Sequence, residues 1–176
     1  MRIGVCFFIE SNLGGAATQA DDLVTVAQRL GHEACLLRFA MSPKARDLWS
    51  LSEKGLPSHE LHINRAGMRF SGPRLLAADT GTSLKKWLDT FDLLLLVGGC
   101  PHITRSFTEE DFGRRFAALY LDTRCKKIMF LTDPFWQKLY PYCRDVIGCC
   151  SKVYAFSESY RRSVVESGLH DRVEIC

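Results

Sequence analysis

Residues 1–9 read MRIGVCFFI and run straight into ESNLGGAATQ at 10–19, after which an apolar periodic stretch leads to LGHEACLLRF at 30–39. The first piece is apolar and rich in β-formers, and the glycine-containing piece behind it is a turn signal, so a buried strand followed by a loop is expected. Thr18 with Asp21 three residues on has the spacing of a helix start, and Ala20, Leu23, Val24, Ala27 and Leu30 recur at helical intervals up to Gly31. The spacing predicts a capped amphipathic helix, then a second strand over Ala34–Phe39. Strand, loop, helix and strand within the first forty residues make one unit of a parallel, doubly wound sheet.

The same order returns downstream. Phe91 to Val97 is a continuous apolar run of the kind found in central parallel strands, and it ends in Gly98-Gly99-Cys100-Pro101-His102. Thr108-Glu109-Glu110-Asp111 marks a helix start, with Phe112, Phe116, Leu119 and Tyr120 as its apolar face. A strand over Lys127–Leu131 follows. Asp133-Pro134 then opens a helix whose inner face is Leu139, Cys143, Val146, Ile147 and Cys150. Val153–Phe156 is a short strand, Ser157 caps a helix carrying Tyr160, Val164 and Val165 up to Gly168, and Arg172–Cys176 reads as a last strand. Between the two clear regions the expectations are a short helix in Ser42–Leu51, one strand at Glu60–Asn64 and a helix near Leu84–Asp89. The whole predicts an α/β fold: a three-layer, Rossmann-like domain with a parallel central sheet, spanning 1–176 as a single domain.

Composition narrows the function classes. With 47% hydrophobic and 24% charged residues the chain is an ordinary globular sequence. A formal net charge of +3 and a sequence pI near 8.4 are too mild to declare a nucleic-acid binder on charge alone. The basic residues concentrate from Arg38 to Asp89, where Arg65, Arg69 and Arg74 lie near His59 and His62 and form a candidate anion-facing surface. Eight cysteines fall mostly inside apolar segments, as at Cys6, Cys35, Cys143 and Cys150, and read as reduced thiols. The one close pair is Cys149-Cys150, no Cys-x2-Cys spacing occurs, and no metal site is expected. No apolar run approaches the roughly 20 residues of a membrane helix, and the first residues lack a small-residue cleavage site, so cytoplasmic residence without a membrane is expected.

In an open α/β sheet, ligands bind beyond the carboxyl ends of the strands, where helix N-termini point their N–H groups. Glu10–Gln19, Gly98–His102 and Thr132–Phe135 are the loops expected there. The first has neither the G-x-G-x-x-G of a dinucleotide site nor the Lys and Ser/Thr of a P-loop. Gly14 and Gly15 would let backbone approach a phosphate or sugar hydroxyl, although two glycines equally serve a tight strand-to-helix turn. Asp133, at a strand end, is placed as a general base would be, and directly before Pro134 it is also placed as a helix cap. Glu10 has the same logic. His102 could bond a phosphate or hydroxyl or be an ordinary loop residue, and Trp136 beside Tyr140 could stack on a base or pack in a core.

The residues now quoted resemble a known family. The Met1-Arg2-Ile3-Gly4-Val5 opening, its Gly-Gly loop and the helix ending Leu30-Gly31-His32-Glu33 resemble the start of retaining glycosyltransferases of the two-Rossmann-domain (GT-B) architecture. Val153-Tyr154-Ala155-Phe156-Ser157-Glu158-Ser159, Arg162, Val165, Gly168 and Asp171-Arg172-Val173-Glu174-Ile175 are similar to the last strand-helix-strand of their N-terminal domain. The short start and the Ile128–Asp133 strand ending in Asp look most like phage DNA glucosyltransferases. That resemblance implies transfer of a sugar from a UDP-sugar to a hydroxymethylated base in DNA, in a host cytoplasm if the chain is phage-encoded. It implies Asp133 as the catalytic group near the acceptor hydroxyl, and Gly14, Gly15 and Glu10 on the donor side. His102, Trp136, Arg65 and Arg69 would then meet the acceptor. The donor would be a substrate, with no cofactor tightly bound. Such enzymes carry a second Rossmann domain that holds most of the nucleotide sugar. The expected partners are therefore a second Rossmann-like domain or chain with the donor site, meeting this one on the loop face that carries Phe135 and Trp136, and DNA. The competing reading is a non-catalytic, Rossmann-type module that binds a nucleotide or a protein.

Overall fold

Both faces of the first strand must be covered for an apolar run such as Ile3–Phe7 to be stable, and the fold supplies a cover on each side. The structure is a computed structural model and describes residues 1–9, 15–40, 58–64, 67–72, 75–78, 82–98, 121–131 and 141–176. The strands are β1 (Arg2–Ile9), β2 (Glu33–Ala40), β3 (Ser58–Asn64), β4 (Gly67–Gly72), β5 (Leu75–Ala78), β6 (Leu93–Val97), β7 (Lys126–Leu131), β8 (Lys152–Ala155) and β9 (Val173–Ile175). The helices are α1 (Gly15–Arg29), α2 (Thr82–Leu88), α3 (Pro141–Gly148) and α4 (Glu158–Glu166). The strands form one sheet in the order β5-β4-β3-β2-β1-β6-β7-β8-β9. Pairing is parallel from β3 through to β9, and antiparallel where β4 joins β3 and β5 joins β4.

Alternation along the strands sorts the core into two layers. Ile3, Val5, Phe7, Leu36, Leu95 and Val97 pack with Ala17, Ala20, Val24 and Ala27 of α1 on one face. Cys6, Leu37, Leu94, Leu96, Met129, Leu131, Val153 and Ala155 pack on the other, against Leu88 of α2, Val146 and Ile147 of α3 and Val164 of α4. This is the expected three-layer α/β arrangement. Central strands covered on both sides read as unbroken apolar runs, as Leu93–Val97 does.

Two features differ from expectation. Helix α1 begins at Gly15 and not at Thr18, so Thr18 is an exposed residue inside the first turn; Ala16 and Ala17 are strong helix formers and extend the helix backwards. It ends at Arg29, where Gly31 takes a φ of 79°, and Leu30 is left 69% exposed outside the apolar stripe. The segment expected to hold one strand holds three, because β4 and β5 follow β3 as an antiparallel extension. The short helix expected in 42–51, and the helix expected to start at Thr108, lie outside the described residues.

Gly4 marks the tightest point of the sheet. A Cβ built on it would lie 2.8 Å from Leu37 Cδ1, 2.8 Å from Leu94 Cδ2 and 3.3 Å from Phe91 Cδ1. All three side chains are buried and have no room to retreat. Gly4→Val is expected to lower the unfolding free energy by about 1–3 kcal/mol, the usual cost of overpacking a filled core. Urea denaturation followed by circular dichroism measures it, and an unchanged midpoint would contradict this packing.

Candidate functional site

The strand order reverses between β1 and β6: from β1 the chain builds outward to β2 and β3 on one side, and from β6 to β7, β8 and β9 on the other. At such a reversal the connections leave in opposite directions and open a crevice beyond the carboxyl ends of the strands. Register shapes its floor. Val97, the last residue of β6, is level with Phe7 of β1 and Phe130 of β7. β1 continues past that level through Phe8 to Ile9, and β7 continues to Leu131. The rim is therefore notched at β6, by about 7 Å on the β1 side at roughly 3.3 Å per residue.

Gly98 lies in the notch. Its φ of 97° is in the region that favours glycine. Its N–H donates to Phe130 O at 3.0 Å and extends the β6–β7 pairing by one bond. Since β1 runs to this rim and α1 runs back from it, the N-terminus of α1 opens here, with its first N–H groups unpaired within the helix. Gly15, the first residue of α1, is exposed; a Cβ on it would meet nothing within 4 Å, and its φ is not positive. Neither packing nor backbone conformation requires a glycine at 15. One turn further on, Gln19 Oε1 is buried without a hydrogen-bond partner. A buried acceptor left unpaired costs about 1–3 kcal/mol. Sequence reasoning placed Gln19 in the loop and missed it, because polarity alone carries no sign of burial.

The expected site residues divide as follows. Gly15 is at the crevice. Arg69 lies on β4, the register partner of His62 on β3; β3 and β2 separate β4 from β1, about 14 Å of sheet at the usual strand spacing. Glu10, which follows Ile9, Asp133, two residues after Leu131, and Gly14, Arg65, His102 and Trp136 lie outside the described residues. At the carboxyl end of β8, Phe156 is 46% exposed, and Ser157 caps α4 by accepting from Tyr160 N at 3.3 Å. Glu158 beside it bonds Arg161 at 2.6 Å and Arg162 at 3.4 Å, and the Arg161 bond holds its carboxyl below the usual range. These are cap and ion-pair roles.

The opposite, amino-terminal rim is tied together. Arg2 N donates to Asp92 Oδ2 at 2.7 Å, its guanidinium bonds Glu33 at 3.1 Å and the Thr90 hydroxyl, and it lies 4.7 Å over the Phe91 ring. Burial pushes the Cys35 thiol up to about 11, with the Arg2 charge opposing, and burial raises Cys6 well above its ordinary value. Among the described residues no group of three or more His, Cys, Asp or Glu could hold a metal ion, and no helix is long and apolar enough to cross a membrane.

No protein-family model and no curated protein matches the chain. Solved structures do. An alpha-glucosyltransferase in complex with UDP and a 13-mer DNA containing a HMU base superposes on 99% of this chain with a TM-score of 0.61 at 10% identity. A second such complex gives 0.63 at 11% identity over 99% of this chain. An alpha-glucosyltransferase in complex with UDP-glucose and DNA containing an abasic site gives 0.63 at 10% over 98%. In each case the match covers 42% of the other chain. Identities this low show the fold alone, and that fold is a Rossmann-like α/β arrangement which matches less than half of each of those chains.

Gly98→Ala is expected to cost about 1–2 kcal/mol, the penalty of a Cβ in a left-handed conformation. Thermal denaturation reads it. An unshifted melting temperature would mean that the β6 carboxyl end does not hold this geometry.

Proposed function

We propose that the chain is one half of a glycosyltransferase that moves a sugar from a nucleotide-sugar donor to an acceptor, with a hydroxymethylated base in DNA as the acceptor. The observation that carries this reading is the match of nearly the whole chain to less than half of enzymes bound to UDP, UDP-glucose and DNA. The reversal of strand order between β1 and β6, with the start of α1 at the same rim, supports it, since ligands of such sheets bind there.

Asp133, following β7, takes the proton of the acceptor hydroxyl as that oxygen attacks the sugar carbon, or stabilises the charge that develops there. The N-terminus of α1 with Gly14 and Gly15 faces the donor phosphates and sugar through its N–H groups, with Glu10 beside them. His102 and Trp136 orient the acceptor base. Arg69, on β4 away from the crevice, and Arg65 meet phosphates of a duplex that extends past the site, contacts that position without reading sequence. The donor is a UDP-sugar, and a second Rossmann-like domain or chain closes the cleft over it. One wall alone binds the donor weakly and positions it poorly, so transfer needs that partner.

Radiolabelled sugar transfer from UDP-glucose to DNA with hydroxymethylated bases, with and without the candidate second chain, tests the reading. Transfer is expected with both present. Tight nucleotide binding with no transfer under either condition would leave a binding module instead. Within the active assembly, Asp133→Asn is expected to keep stability, because Asn caps a helix about as well as Asp, and to lower transfer by roughly 100-fold or more. Asp133→Ala would in addition lose about 0.5–2 kcal/mol if the side chain also caps the helix. Full activity in Asp133→Asn would remove it from the chemistry.

A further inference from the structure

β9 is an edge strand of the sheet, paired on one side with β8, and of its three residues Val173 alone is buried. Besides that pairing it is held by an exposed ion pair, Lys152 Nζ to Glu174 Oε1 at 2.8 Å, and by His170 in the loop before it. The half-buried imidazole bridges two strand entries. Its Nε2 lies 2.9 Å from Cys150 O, ahead of β8, and its Nδ1 accepts from Arg172 N, ahead of β9, at 3.1 Å. A carbonyl oxygen can only accept and a backbone N–H can only donate, so one form of the ring satisfies both bonds: the neutral imidazole with its proton on Nε2.

We propose that His170 is a proton-operated latch on β9: the neutral ring ties the entry of this outer strand to the entry of β8, and the protonated ring lets it go. A protonated imidazole carries an N–H on each nitrogen. Nδ1 then faces the Arg172 N–H donor to donor, and that amide loses its acceptor while the bond to Cys150 O survives. The folded arrangement disfavours the charged ring, so the latch holds at higher pH and is lost as pH falls through the range, around 6.5, in which histidines take up a proton. The consequence falls on β9 because little else holds it. Charged and titratable groups reach this corner from every neighbouring element: Arg144, Asp145 and Cys149 from α3 and the turn after it, and Glu166 from the end of α4. The Lys152–Glu174 pair joins β8 to β9, and Asp171 and Arg172 adjoin the ring in sequence. In their ordinary states the carboxylates titrate below this range and the Lys, Arg and Cys groups above it. The latch does not depend on the transferase reading.

Two NMR measurements on the isotope-labelled chain test it. At about pH 7.5 the ring nitrogens of His170 should show the proton on Nε2 and a bare Nδ1. Amide hydrogen exchange, corrected for its intrinsic pH dependence, should lose about two- to tenfold of its protection at Arg172 between roughly pH 7.5 and 5.5, the worth of one hydrogen bond. The amides of β9 should follow, while Val5, Leu94 and Met129 in the covered strands keep theirs. His170→Asn retains an acceptor two residues before the Arg172 amide, as an Asx turn does, and takes up no proton in this range. Protection at Arg172 should then be independent of pH, whereas a change arising from Cys149 or the carboxylates would persist. A proton on Nδ1, constant protection at Arg172 in the unaltered chain, or the same pH dependence in His170→Asn would overturn the proposal.

Discussion

The handedness of the crossover connections governs everything else in this domain. A strand, helix and parallel strand in one sheet wind right-handed because a right-twisted strand and a right-handed helix pack back onto the sheet only that way. From β1 the chain steps to β2 in one direction, and from β7 it steps through β8 to β9 in the other. The same hand therefore sends α1 to one face and α3 and α4 to the other, as the two packed layers show. Both faces of the central strands are then dry, and each of Leu94, Leu95, Leu96 and Val97 has a core to enter. The reversal that distributes the helices also opens the crevice between β1 and β6.

The two rims of the sheet have taken different roles. At the amino-terminal rim, bonds from Arg2 to Asp92, Glu33 and Thr90 link the starts of the three central strands, and Asp89 accepts from Lys85 at 2.7 Å and from Arg124 N at 2.9 Å. These contacts pin the register at one end. At the carboxyl-terminal rim the described strands end unevenly, Gly98 follows β6 with a positive φ, and Gly15 at the start of α1 is exposed. A rigid scaffold with loops collected at one edge is the usual way to carry a binding site.

Much of this was legible in the residues, for reasons that can be stated. β1, β6 and β7 are covered on both faces, so their composition is dominated by burial and few other readings fit. Ser157 and Gly31 announced the ends of α4 and α1 because cap geometry demands particular side chains. The β3–β4 hairpin was illegible because Asn64 and Gly67 pair across a two-residue connection that is Arg65-Ala66, which lacks the Asn-Gly or Gly-first signal of a tight hairpin. β4 and β5 are short and interrupted by Pro73, so periodicity had little length to act on. At the crevice, the glycines and the strand-end position could be read from the chain, whereas the buried acceptor on Gln19 and the step in register are products of tertiary packing and have no local signature.

The central proposal is that donor and acceptor meet at the crevice between β1 and β6. The most direct measurement is a backbone amide NMR titration of the isotope-labelled chain with a DNA duplex carrying one hydroxymethylated base. The account predicts shift changes at the carboxyl-terminal rim, at Ile9, Gly15, Val97, Gly98 and Leu131, with Arg2, Asp92, Lys126 and Ser151 unmoved. Changes confined to the amino-terminal rim, or no change at any amide, would contradict it.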